Sequence, residues 1–156
     1  AAGLLADHGL RIGHEPGVRV MGDAARFQLA QRVIAQHLGE VRHLSDHPAT
    51  VIGWLLALDG AMSEHLVDAA RVRAFQTSER PLFEAEIAEL AKEKKGTKTK
   101  QAALAKVLEK MDQRTELLEL VAAYREAKER HRLMDFSDQI ALAARLADEH
   151  PNVGEQ

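Results

Sequence analysis

A chain of 156 residues is long enough for one domain with a sizeable core and too short for two ordinary ones. Charged residues at 29% and hydrophobic ones at 46% are the composition of a soluble globular protein, no apolar run approaches the length of a membrane span, and aromatics at 4% leave the core to Leu, Ala, Val and Ile. The absence of cysteine excludes disulfides and thiolate metal sites and fits a reducing cytoplasm, while a net charge of −3 means that any nucleic-acid contact must come from a local patch.

The predicted elements are helical throughout. Residues Ala1 to Gly9 read as the last turns of a helix stopped by Gly9. A start in mid-helix suggests an excised fragment. Gly13 to Gly22 form a loop with a short extended piece, Val18-Arg19-Val20-Met21. Asp23 then caps a helix through Leu38, with Phe27, Ala30, Ile34 and Leu38 on one face and Gly39 as its stop.

The pattern breaks from Glu40 to Pro48. A short helix follows, Val51 to Leu58, apolar nearly all round and therefore buried. Ser63 caps the next segment toward Phe75, and Pro81 opens another helix with Leu82, Phe83, Ile87, Leu90 and Ala91 along one stripe. Beyond Lys100 runs the longest helix, about 30 residues or roughly 45 Å. Its stripe is Leu104, Val107, Leu108, Met111, Leu118 and Val121, and it ends near Arg132. Two helices joined around Gly96 make a long antiparallel αα-hairpin. Asp135 starts a last helix, with Asp138 near the positive end of its dipole, Phe136, Ile140, Ala144 and Ala147 facing the core, and Pro151 marking its end. The whole chain, 1–156, reads as a single all-α domain.

Few motifs carry chemistry. No G-x-x-x-x-G-K-[ST] phosphate loop and no acidic strand end for magnesium is present, so the chain should hold no ATP and has no catalytic residue of its own. Eight histidines raise the question of a metal. Glu40-x-x-His43 has di-iron spacing, with His47 four residues on, but no second copy exists and Ser45, Asp46 and Pro48 argue for a loop. Trp54 and Tyr124 are candidate base-stacking platforms, though each fits a core position better.

The basic stretch at the hairpin tip is more informative. Lys92, Lys94, Lys95, Lys98 and Lys100 face only Glu93 in nine residues, with Thr97 and Thr99 adding hydroxyls. Such a tip suits phosphate contacts, which give salt-dependent affinity without reading sequence. The plain alternative is a solvated turn.

Near the C-terminus, Tyr124-Arg125-Glu126-Ala127-Lys128 and Leu133-Met134-Asp135-Phe136-Ser137-Asp138-Gln139-Ile140 resemble the segment before the Walker B strand of UvrD, PcrA and Rep helicases. Ala1 to Gly9 and Val18 to Asp23 are similar to segments near the start of the same family's helical insert, so the resemblance covers both ends in the right order. The middle, roughly Glu40 to Lys110, matches only as helix of suitable length. Tyr124, Asp135, Phe136 and Asp138 carry the motif, Asp135 as a cap and Phe136 as an anchor. The resemblance implies the helical subdomain, usually labelled 1B, inserted into the first RecA-like motor domain of a bacterial ATP-dependent 3′–5′ DNA helicase of repair or recombination. ATP, Mg2+ and the catalytic residues would belong to the parent, and DNA, as duplex or fork, would be the partner. A helical protein-interaction module is the competing expectation.

Overall fold

The computed structural model describes residues 17–92 and 97–149. In chain order these form β1 (Arg19–Val20), α1 (Asp23–Gln36), α2 (Pro48–Glu64), α3 (Ala69–Lys92), α4 (Lys98–Arg130), β2 (Leu133–Met134) and α5 (Phe136–Glu149). The fold is all-α, and its two short strands form one parallel pair with Arg19 opposite Leu133 and Val20 opposite Met134. Met21 N–H donates to the Met134 carbonyl at 2.7 Å and continues the ladder. That pair places the segment entering the helices beside the segment leaving them.

Helix α4, 33 residues and so about 50 Å long, is the axis of the fold. Its second half carries Leu117, Leu118, Leu120, Val121, Tyr124 and Ala127, all buried against α1 and α2. Leu29, Ala30 and Val33 of α1 and Val51, Ile52 and Leu55 of α2 complete the core. Burying each such aliphatic side chain contributes roughly 1.5–3 kcal/mol. The first half of α4 buries Met111 and lies along α3. Gln76 in α3 donates to the Met111 carbonyl at 2.8 Å and to the Thr115 hydroxyl at 3.1 Å, and Arg80 pairs with Asp112. The residues between these helices, 93–96, lie outside the described residues, as do the expected turn at Gly96, the helix end at Ala1 to Gly9 and the stop at Pro151.

Several expected boundaries move. Helix α1 ends at Gln36, and Asp23 is not its cap: Gly22 holds that place without a side-chain hydrogen bond, and Asp23 pairs with Arg26 at 3.4 Å. Ala30 and Ile34 face the core as expected, joined by Leu29 and Val33, whereas Phe27 is 42% exposed and Leu38, past the helix end, is fully exposed. Helix α2 runs well past Leu58, and Ser63 is buried within it. Asp68 caps α3, its carboxylate accepting the Arg71 N–H at 2.7 Å. Pro81 opens nothing; it sits inside the continuous helix α3. On α5 the expected core face is reversed, with Phe136 67% and Ile140 41% exposed while Gln139 and Leu146 are buried. Ala144 and Ala147 are exposed as well. Among the described residues no helix is long and apolar enough to cross a membrane.

Candidate functional site

Of the basic tip, Lys92 ends α3, exposed and paired with Glu89. Lys98, Thr99 and Lys100 form the exposed first turn of α4. Lys94 and Lys95 lie outside the described residues. The first turn of α4 contains no acidic residue, and its two lysines stand where the helix dipole disfavours cations by about 0.3–1 kcal/mol each. Fold stability does not favour that placement. An anion held there would meet both lysines and the free N–H groups of the helix end. Thr97 departs from expectation. It is buried at the start of α4, unlike exposed Lys98, Thr99 and Lys100.

The residues of the C-terminal block build something different, a buried ionic cluster. Lys128 projects from α4 with 4% of its side chain exposed and donates to Asp59 Oδ2 at 2.8 Å and to both Asp138 oxygens at 2.9 and 2.8 Å. Asp135 Oδ2 lies 3.4 Å away. Arg125, one turn before Lys128, donates to Asp59 Oδ1 at 2.6 Å and to the Ser63 hydroxyl at 3.2 Å. Arg26 approaches Asp135 from α1 at 3.4 Å. Three carboxylates thus face three cations, drawn from α1, α2, α4 and the start of α5.

Asp135 and Asp138 also close the N-terminus of α5. The Asp138 N–H donates to Asp135 Oδ1 at 3.0 Å, and the Asp135 N–H donates to Asp138 Oδ2 at 2.9 Å. This is a capping box with Asp in both places. Phe136 does not anchor the helix, because the box and Lys128 hold it instead.

Burial and charge compete at each group. Burial opposes charge on Asp135, but the Asp138 N–H, Lys128 and Arg26 hold its carboxyl below the usual range. At Asp138 burial wins over Lys128 and the carboxyl is pushed up. Burial works against the Lys128 ammonium too, yet Asp59 and Asp138 outweigh it and raise its pKa. Tyr124 is fully buried with Lys128 over its ring at 4.9 Å, and burial pushes its phenol up to about 12. Arg26 approaches the phenol too loosely for a well-formed hydrogen bond, and no other described group reaches the hydroxyl.

Asp59, Asp135 and Asp138 bring ligand atoms within 4.8 Å of one another. Three carboxylates at that spacing suit a hard cation; here the Lys128 ammonium fills the space and balances the charge. The other metal candidate is loop: Glu40 pairs with Arg42, the His43 N–H donates to the Glu116 carboxylate, and His47 precedes α2. Tyr124 has no exposed face to offer a base, and Trp54 is half-buried with Lys110 5.1 Å above its ring. Asp59, Arg26 and Arg125 were not legible as site residues. The one signal for Asp59 was a lone carboxylate at the end of an apolar run.

Compared with known proteins, the chain matches no protein-family model, and no curated protein matches it.

Proposed function

We propose that this chain is the helical insert, subdomain 1B, of a UvrD/Rep-type ATP-dependent DNA helicase, working in the cytoplasm of a bacterium in DNA repair or recombination. The parent's RecA-like motor domains supply ATP, Mg2+ and catalysis. The insert contributes a helical arm that contacts duplex or forked DNA through the phosphates.

One observation carries this reading. The two stretches that resemble the family, Val18 to Asp23 and Leu133 to Ile140, are joined by the parallel pairing of β1 with β2. An insertion that leaves a host domain and returns to it needs its entry and exit side by side. The apolar side chains of Val20, Phe136 and Ile140 are exposed on these same elements, as surface awaiting a host domain would be. The DNA role is supported by the lysines at the start of α4, placed against the helix dipole.

The test is a salt-titrated duplex-binding assay on the wild type and on Lys94→Glu/Lys95→Glu/Lys98→Glu/Lys100→Glu. Binding should be weak, indifferent to sequence and abolished in the variant, with helix content by circular dichroism unchanged. Equal affinities and equal salt slopes would overturn the tip's role and favour a protein-interaction module.

A further inference from the structure

Away from the ionic cluster, α3 and α4 enclose an open groove of about 410 Å³, lined by Phe75, Phe83, Lys106, Val107, Lys110, Met111 and Arg114. Its chemistry is divided by helix. Helix α3 supplies two phenyl rings eight residues apart, about 12 Å along the axis. Helix α4 supplies three cations at four-residue steps, a row rising about 6 Å per step. Phe75 is 57% exposed and Val107 37%.

Neither half is explained by the fold. The chain has four Phe, one Trp and one Tyr, and two of the Phe are spent on this groove. Phe75 forgoes the burial that makes phenylalanine useful in a core, and half-buried Phe83 forgoes part of it. Among the described residues, Lys106, Lys110 and Arg114 form no ion pair. Lys110 donates only to the Gln113 side chain at 2.8 Å and lies over the Trp54 ring. The carboxylates nearest in sequence, Glu84, Glu109, Asp112 and Glu116, do not line the groove: Glu84 and Asp112 pair with Arg80, and Glu116 accepts the Arg42 and His43 N–H groups. On a chain of net charge −3, three cations without carboxylate partners beside one exposed and one half-buried ring are an electrostatic and apolar match for one kind of ligand.

We propose that the α3–α4 groove binds single-stranded nucleic acid, with bases stacked on Phe75 and Phe83 and the phosphate chain held by Lys106, Lys110 and Arg114. Unpaired bases carry the flat π-faces and the backbone carries the charge, so one ligand satisfies both rows. A duplex hides its bases and offers only the charge. The groove reads no base identity, and it places no demand on the 2′ position, so DNA and RNA strands should bind alike. This goes beyond the duplex contact assigned to the tip and does not depend on the helicase reading.

The test uses the full chain with labelled oligothymidylate and oligouridylate of about fifteen nucleotides, within the roughly 4–16 nucleotide range of single-strand sites. The matching duplex and heparin, a polyanion without bases, are the comparisons. Anisotropy gives affinity. Trp54, the single tryptophan, gives a second readout, because occupation of Lys110 should change its fluorescence. Phe75→Ala/Phe83→Ala should weaken single-strand binding at least tenfold, leaving heparin binding and the salt slope intact. Phe75→Tyr/Phe83→Tyr should stay within a few-fold of wild type. Lys106→Gln/Lys110→Gln/Arg114→Gln should reduce the salt slope by about 2, at roughly 0.7 per phosphate for single strands. Should the alanine pair fail to fold in a thermal melt, the tyrosine pair and the glutamine variant decide.

Unchanged single-strand affinity without the phenyls would overturn the proposal, as would wild-type binding of duplex and heparin as tight as that of the strands. So would an acidic amphipathic peptide that competes for the groove where oligonucleotides do not bind. The tip variant separates the two sites: loss of duplex binding with single-strand binding retained supports this groove, and loss of both overturns it as an independent site.

Discussion

The Lys128 ammonium donates to Asp59 Oδ2 at 2.8 Å across 69 residues of sequence, with the lysine side chain 4% and the aspartate side chain 1% exposed. Through Asp59 the lysine holds α2, through Asp135 and Asp138 the start of α5, and through Asp135 and Arg26 it reaches α1. The segment that follows β2 is thereby locked to the helical core by charge as well as by the short strand pair. Desolvating these groups is expensive, and the cluster is tolerable because nearly every oxygen has a donor.

Lys128→Met should therefore be severely destabilising. The side chain is nearly the same length, but three carboxylates would lose their shared ammonium while Asp59 and Asp135 stay buried. Removing one partner of a buried ionic group costs about 3–5 kcal/mol. Urea unfolding followed by circular dichroism reads this directly. A loss below about 1 kcal/mol would mean that water reaches the cluster and screens it.

Asp135→Ala and Asp135→Asn separate two roles of one residue. The cap alone is worth about 1 kcal/mol, and asparagine can keep it. The carboxylate also faces Lys128 and Arg26 at 1% exposure. Alanine should cost about 3 kcal/mol or more, and asparagine should recover only the cap's share. The charge has a pH signature. A carboxyl held below its ordinary range contributes stability above its unfolded pKa and loses it as the solution is acidified through the lower folded value. Asp138, pushed the other way, contributes with opposite sign and blunts the acid transition. If asparagine matched wild type in stability near pH 7, the ionic part of the argument would fail.

How much of this was legible in the sequence follows from the range of each interaction. The all-α class, the long helix and the Asp135 cap depend on propensity and on neighbours within four residues, and they could be read. Helix faces could not be read where the apolar stripe was broad. On α5 Phe136, Ile140 and Ala144 make as good a stripe as the one that buries Leu146, and the buried aspartates decide between them. Asp59 and Lys128 were beyond local reasoning, because each is explained only by a partner on another element. The groove of Phe75 and Phe83 was hidden for the same reason. Phe83 sat on an expected apolar stripe, and the cations that set its character lie on α4.

Tyr124→Phe should leave stability at neutral pH nearly unchanged, since the buried hydroxyl makes no hydrogen bond to lose. Its effect should emerge in alkali. A phenol raised from 10.0 to about 12 is kept neutral by the fold, so wild type loses stability as pH rises from about 10 through 12. Lys128, also raised, loses its contribution in the same direction. The phenylalanine variant keeps the lysine's pH dependence and loses that of the phenol, and should gain on wild type by roughly 2–3 kcal/mol near pH 12. Parallel melts across pH 8–12 test it; curves that stay superimposed would place the phenol in contact with water.

Pro81→Ala should stabilise the protein. Proline inside a helix removes one backbone hydrogen bond and crowds the carbonyl four residues earlier, at a cost of about 3 kcal/mol in a free helix. Sequence alone therefore predicts a helix start at this residue, yet α3 continues through it from Ala69 to Lys92. The reason lies on α4. Before the proline, buried Gln76 is tied to the Met111 carbonyl and Thr115; beside it, Arg80 is tied to Asp112; beyond it, Leu90 is buried. These contacts hold both halves of α3 along α4 and override the local preference. Pro81 itself is exposed, so alanine opens no cavity and restores the missing N–H. The gain is reduced by the greater freedom alanine allows the unfolded chain, worth about 0.4–1 kcal/mol. A net stabilisation of about 1–2 kcal/mol should appear as a higher urea midpoint at constant slope. A lower midpoint would mean that the backbone geometry set by the proline is needed for Gln76 and Arg80 to reach α4. Gln76→Ala added to Pro81→Ala would then cost little further, whereas with the proline dispensable it should cost about 1 kcal/mol in either background.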